Sequence, residues 1–118
     1  MSENIHIKRI YEKPDLADGY RILIDRLWPR GIRKETASID EWSKDLAPSS
    51  ELRKWFNHQD ERFEEFQKRY IEELTKKQEL ILKIIALSRI KPITLLYGAK
   101  NKTHNQAVVL LDYLKKFV

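Results

Sequence analysis

The stretch Tyr20-Arg21-Ile22-Leu23-Ile24-Asp25-Arg26 decides the fold of this 118-residue chain. Its centre is continuously apolar, which is typical of a strand that is covered on both faces in a parallel sheet. The strand is expected to end before Pro29, because proline has no amide to donate to a sheet ladder. A second buried strand is predicted over 92–97, where a short apolar run lies between Pro92 and Gly98.

Alternating apolar residues predict a third, shorter strand over 5–10. Helical patterns fill the chain between the two buried strands and follow the second one. The predicted helices run from Ser38 or Asp40 through Ala47, from a cap at Ser49 or Ser50 through Phe56, from a cap at Asp60 through Leu74, from Gln78 to Ser88, and from an N-cap at Thr103 through Leu114. The helix over 78–88 is apolar on nearly all sides and is expected to be the most buried.

A helical crossover between the strands at 20–26 and 92–97 makes those strands parallel. The order of elements predicts an α/β fold: one domain over residues 1–118, with a small, mostly parallel central sheet of about three strands and four to five helices. The sequence leaves the oligomeric state open.

The net charge of +5 is concentrated in the C-terminal third of the chain. Residues 81–118 hold seven Lys/Arg against one Asp, whereas residues 41–80 carry a net charge of −2. A basic segment of this kind allows nucleic-acid binding as one hypothesis, although basic small proteins are common.

The composition excludes several kinds of chemistry. The chain has no cysteine, so thiolate catalysis, iron–sulfur clusters and cysteine-bound zinc are impossible. The N-terminal residues lack the apolar segment of a signal peptide, and the apolar runs are too short for a membrane span. We therefore expect a cytoplasmic protein with no membrane association. No motif calls for a cofactor or a metal.

The candidate site lies where the two buried strands end, because ligands of open α/β sheets collect beyond the carboxyl ends of parallel strands. The segments 25–31 and 97–105 both follow such ends. The polar side chains expected to meet there are Asp25, Arg26, Arg30, Lys100, His104 and Asn105, with Trp28 and Tyr97 lining a pocket.

The second of these segments runs from a strand through a glycine-containing loop to a helix N-terminus. The free amides and the dipole of such a terminus favour phosphate or carboxylate groups. The segment has neither a Walker loop nor a dinucleotide-binding fingerprint. A capped surface helix with solvated lysines explains the same residues equally well.

Three side chains have specific candidate roles. Arg26 and Arg30 could hold an anion, or pair with Asp25 and with helix carboxylates. Asp25 is a candidate catalytic or positioning group. His104 is the best candidate for proton transfer, because the ordinary pKa of histidine suits acid–base work. A purely structural histidine is the alternative.

The run Gly19 to Gly31 (GYRILIDRLWPRG) resembles the hallmark of the YeaO-like branch of the family called domain of unknown function 488. Further stretches are similar to it at 45–49, 52–56, 63–70 and 95–97, and at Lys100, His104 and Asn105. The resemblance implies a small α/β domain of bacterial type without an established activity.

Two departures from the family pattern bear on the site. Members of that family usually carry Ala in place of Gly98 and often a second His in place of Gln106. The resemblance therefore does not imply a proton relay between two histidines in this chain. Longer relatives carry a cysteine near the start of the last helix, so their thiol chemistry is not carried over either.

Three functions follow as hypotheses. The first is a binding protein or enzyme for a small anion, such as a phosphate, nucleotide or carboxylate, at the ends of strands 20–26 and 92–97. The second is a nucleic-acid-binding module that uses the basic C-terminal third. The third is a structural or protein-interaction domain, which predicts that ion pairs within the chain fill the edge of the sheet and leave no pocket.

Overall fold

The computed structural model describes residues 4–117, so residues 1–3 and 118 of the predicted domain lie outside it. Its centre is a four-stranded, entirely parallel sheet. The strands are β1 (Ile5–Arg9), β2 (Tyr20–Leu23), β3 (Glu41–Trp42) and β4 (Ile93–Tyr97), and their spatial order is β1-β4-β2-β3. The predicted α/β class and the parallel pairing of the two buried strands are confirmed.

Residues 4–117 also form four α-helices, whose buried apolar side chains belong to one main core. The helices are α1 (Ser50–Phe56), α2 (Phe63–Thr75), α3 (Gln78–Ser88) and α4 (Gln106–Lys115), and short 3₁₀ turns occupy Leu16–Asp18, Lys44–Leu46 and Asp60–Arg62. No helix within residues 4–117 is long and apolar enough to cross a membrane.

The central strands are buried on both faces, as their continuous apolar centres predict. Ile22 and Leu95 pack into the main core with the helices. Leu23 and Leu96 point to the opposite face, where they form a smaller cluster with Ile10. Loop residues and β3 cover that second face instead of a helix. The side chains that pack there are Trp28, Ile32, Ile39 and Trp42.

The prediction of a helix from Ser38 or Asp40 through Ala47 is wrong. The chain there forms β3, which pairs with β2, and then a 3₁₀ turn. Ser38 adopts a positive φ of 53°, which no α-helix contains. The amide of Ser43 donates to the carbonyl of Leu23, so a long-range pairing replaces the local helical one.

Two predicted caps are also wrong. The first residue of α4 follows Asn105, whose side chain accepts a hydrogen bond from the Val108 amide, so Asn105 and not Thr103 is the N-cap. Asp60 begins a 3₁₀ turn that leads into α2 and does not cap it. Ser49 is the N-cap of α1, as predicted, and accepts from the Leu52 amide.

Helix α3 is less buried than its apolar sequence predicts. Ile81, Ile84 and Ile85 face the core. Leu82 and, just beyond the helix, Ile90 are 57% and 77% exposed. Only one side of α3 meets the sheet, so the remaining apolar side chains stay on the surface.

Candidate functional site

The two segments that follow β2 and β4 meet at Asp25. Its carboxylate accepts a hydrogen bond from the Gly98 amide at 2.9 Å and a second one from the Gln106 side-chain amide. Its backbone carbonyl accepts from the Trp42 indole at 2.7 Å. Asp25 therefore connects the end of β2 with β3, with the loop after β4 and with the first turn of α4.

Burial raises the pKa of the Asp25 carboxyl from its ordinary 3.8 to about 6, while the hydrogen bonds from Gly98 and Gln106 oppose the rise. No arginine or lysine lies within ion-pair distance of this carboxylate among residues 4–117. The alternative in which Asp25 pairs with an arginine is therefore wrong. Two neutral donors hold the carboxylate instead.

A cavity of about 410 Å³ opens beside Asp25 at the carboxyl edge of the sheet. Three parts of the chain form most of its walls: the loop after β2, the C-terminal half of α1 with the turn that follows, and the loop between β4 and α4. Tyr11, Pro48, Phe66 and the first residue of α4, Gln106, complete the lining. The polar and charged side chains among its lining residues are Asp25, Arg26, Arg30, Arg53, Lys54, Asn57, His58, His104, Asn105 and Gln106.

Four of the lining side chains are cationic, and Asp25 is the one carboxylate among the lining residues. Within residues 4–117, none of these cations forms an ion pair with a carboxylate. Arg26 and Arg30 belong to the segment predicted from sequence. Arg53 and Lys54 come from α1, and no local pattern in the sequence places that helix at this edge. They are the exposed neighbours of the buried Leu52 on that helix.

The two predicted arginines differ in how firmly they are held. Arg26 is half-buried, and its guanidinium donates to the Pro48 carbonyl at 2.9 Å and to the Ala47 carbonyl at 3.3 Å. Arg30 is exposed, and its carbonyl accepts from the Tyr11 hydroxyl at 2.7 Å. Arg26 thus anchors the segment before α1, whereas the side chain of Arg30 reaches solvent.

His104 lies in the loop just before the cap of α4 and lines the cavity. Its Nδ1 is 3.2 Å from Oδ1 of Asp60, and its ring stacks on Phe63 with the centroids 4.5 Å apart. Asp60 also accepts a hydrogen bond from Asn101 at 3.0 Å. Asp60 orients His104, a role that the sequence could not show because 44 residues separate the two.

The remaining predicted residues have different positions. Trp28 lines the cavity, and its indole nitrogen donates to the Ile32 carbonyl at 2.7 Å. Asn105 also lines it, but its side chain is occupied as the cap of α4 and is only 1% exposed. Tyr97 is buried in the core, and Lys100 is exposed on the loop. Neither Tyr97 nor Lys100 is among the lining residues.

The lining side chains provide hydrogen-bond donors, positive charge and two possible acid–base groups, Asp25 and His104. Within residues 4–117, no three histidine, aspartate or glutamate side chains converge as metal ligands would. Four cationic side chains against one carboxylate give the lining a net positive charge.

A parallel α/β sheet with a basic cavity at its carboxyl edge defines the general class of this protein. The chain belongs to the DUF488 family: its residues 4–118 match DUF488-N3i, described as the inactive DUF488-N3 subclade. The YeaO-like resemblance noted in the sequence is confirmed.

Two relatives illustrate this membership. The chain is 45% identical to the uncharacterized protein YeaO of Escherichia coli over 112 residues, which cover 95% of this chain and 97% of that protein. It is 42% identical to the uncharacterized protein Rv3073c of Mycobacterium tuberculosis, with coverage of 93% and 92%. No solved structure matches the chain significantly.

Proposed function

We propose that this protein binds a small organic anion, with a phosphate or carboxylate group, in the cavity at the carboxyl ends of β2 and β4. The observation that carries the proposal is the set of four cationic side chains around one cavity without an ion-pair partner within residues 4–117. Cations brought this close repel one another, and a bound anion relieves that repulsion.

The remaining polar groups fit the same role. Arginine guanidinium groups bind phosphate and carboxylate through paired N–H donors, and Lys54 supplies a further charge. His104 is held by Asp60 at one ring nitrogen, which leaves the other nitrogen for the ligand. Lys100 stays outside the cavity, so it contributes to the proposal only as a nearby charge on the loop.

The third hypothesis, a purely structural domain, predicts an edge that ion pairs fill and that leaves no pocket. The open cavity and the unpaired cations favour a ligand-binding protein over that hypothesis. The description of the subclade as inactive is consistent with binding without turnover. We therefore propose ligand binding as the function and assign no reaction to the site.

The proposal can be tested by thermal unfolding in the presence of inorganic phosphate, sugar phosphates, nucleotides and dicarboxylates. A ligand that binds only the folded state at 100 times its Kd adds about 2.7 kcal/mol of stability. The variants Arg30→Ala and Lys54→Ala should each weaken binding about tenfold, which corresponds to about 1.4 kcal/mol. Lys83→Ala is the matched control, because Lys83 is an exposed cation on α3 that does not line this cavity.

The proposal fails if no anion stabilises the fold, or if Lys83→Ala weakens binding as much as Arg30→Ala does. An oligonucleotide should be included at low and at high salt. If it binds, with an affinity that falls steeply with salt and is unaffected by Arg30→Ala, the nucleic-acid hypothesis is favoured instead.

A further inference from the structure

The cavity contains much more apolar surface than a bare phosphate or carboxylate ion requires. Leu27 lines it with a side chain that is 59% exposed, and the half-buried Trp28 lines it as well. Phe56 and Phe66 also border it, although they are only 7% and 2% exposed. The volume of about 410 Å³ lies in the range of about 300–1,000 Å³ that is typical of sites for larger organic ligands.

The charge around the cavity is also unevenly distributed among its walls. Arg53 and Lys54 lie on the wall formed by α1, where no carboxylate lines the cavity, and Arg26 and Arg30 lie on the loop after β2. Asp25 and Gln106 bond to each other where the strand ends meet α4. An ionised Asp25 would repel a phosphate. The anionic part of a ligand therefore belongs near the α1 cations, and an uncharged part belongs near Asp25 and Gln106.

Gln106 can recognise a flat, polar ring. The ionised Asp25 carboxylate can only accept hydrogen bonds, so it fixes which end of the Gln106 amide faces it. The Gln106 side-chain oxygen has no hydrogen-bond donor among residues 4–117. One amide hydrogen and this oxygen thus have no partner among residues 4–117, and a glutamine that binds the edge of a nucleobase uses one N–H and its oxygen.

From these observations we infer that the ligand is a nucleotide: its phosphate is bound by the cationic wall and its base is held between Gln106 and the apolar lining. This inference rests on the proposed function and narrows it to one class of organic anion. It makes Gln106, a residue outside the anion-binding set, the group that determines specificity for the base.

The test compares four compounds by calorimetry at one salt concentration: inorganic phosphate, ribose 5-phosphate, adenosine 5′-monophosphate and adenosine. We expect adenosine 5′-monophosphate to bind at least tenfold more tightly than ribose 5-phosphate. Gln106→Met should remove most of that advantage, so that the affinities for the two compounds become similar. Lys54→Ala should instead weaken the binding of both phosphorylated compounds alike.

Because Gln106→Met also removes a hydrogen bond to Asp25, the comparison of the four compounds on the unaltered protein is the primary result. Equal affinities for adenosine 5′-monophosphate and ribose 5-phosphate would overturn the nucleotide inference and leave the proposed anion binding intact. Failure of every anion to bind, in this series and in the wider set of compounds, would overturn both.

Discussion

The Asp25 carboxylate accepts a hydrogen bond from the Gly98 amide, 2.9 Å away and 73 positions later in the chain. This contact joins the loop after β2 to the loop after β4, and the candidate cavity lies beside it. Because Gln106 donates to the same carboxylate, one side chain determines how the two loops and the start of α4 are arranged.

The raised pKa of Asp25 predicts a specific dependence of stability on pH. Its pKa in the folded state, about 6, lies above its ordinary value of 3.8. Asp25 therefore contributes stability that is fully present below about pH 4 and is lost as the pH rises through 6. The loss amounts to roughly 2–3 kcal/mol, at 1.36 kcal/mol for each pKa unit.

Asp25→Asn should remove this dependence and raise the free energy of unfolding at pH 8 relative to the unaltered protein. Denaturant unfolding at several pH values between 4 and 8 measures the difference between the two proteins. Burial raises the pKa of Asp18, but hydrogen bonds from the Asp15 amide, Lys8 and Arg21 together lower it by more; Asp18 is present in both proteins, so its contribution cancels in the comparison. If the free energy of unfolding depends on pH in the same way in both proteins, the raised pKa of Asp25 is contradicted.

Gly98→Ala should destabilise the fold by about 1 kcal/mol, in the range of one net hydrogen bond. A Cβ at this position would lie 2.8 Å from Oδ2 of Asp25, so the carboxylate must move and lose its bond to the amide. The penalty should shrink in an Asp25→Ala background, where nothing blocks the new methyl group. A double-mutant cycle measures this coupling, and full additivity would show that the clash is unimportant.

The cap of α4 can be tested by substituting two nearby residues. Asn105→Ala should cost about 1–2 kcal/mol, because it removes the bond to the Val108 amide and a second bond to the Asn101 carbonyl. Thr103→Ala should change the free energy of unfolding by no more than about 0.5 kcal/mol, since Thr103 is exposed. Chemical denaturation measures the free energy of unfolding of both variants. A larger loss for Thr103→Ala than for Asn105→Ala would contradict the assignment of Asn105 as the N-cap of α4.

Arg26 and Arg30, two of the three arginines that line the cavity, should separate effects on stability from effects on binding. Arg26→Ala should cost about 1.5–3 kcal/mol of stability, because its charged hydrogen bonds to Ala47 and Pro48 are lost. Arg30→Ala should leave stability within about 0.5 kcal/mol. Both should weaken anion binding. Melting temperatures and calorimetric affinities test this together, and an Arg26→Ala protein as stable as the unaltered one would contradict the anchoring role.

Local patterns predicted the central strands and most of the helices because each is specified by neighbouring residues. The apolar centre around Ile22 to Ile24 requires cover on both faces, and the spacing of Leu52, Trp55 and Phe56 requires one buried helical face. The same reasoning failed at 38–47. There the pairing of Trp42 with Leu23 in β2 outweighs the helical pattern of the local sequence.

The candidate site was predicted in part. Parallel strands must bring their carboxyl ends to one edge, so Asp25, Arg26, Arg30 and His104 could be expected near one another. Whether a loop residue faces a cavity depends on the path of the loop, and no periodic pattern encodes that path. Lys100 therefore lies outside the cavity although it is close in sequence to His104.

The sequence by itself determined the class of fold, the parallel order of the two buried strands and the edge at which a site would form, because these follow from local apolar periodicity and from chain connectivity. Only the tertiary structure decided which charges meet at that edge. Arg53 and Lys54 reach the cavity because α1 packs beside it, and Asp25 bonds to Gly98 and Gln106 because two distant loops close on each other. Such contacts depend on packing between elements, which local sequence does not specify.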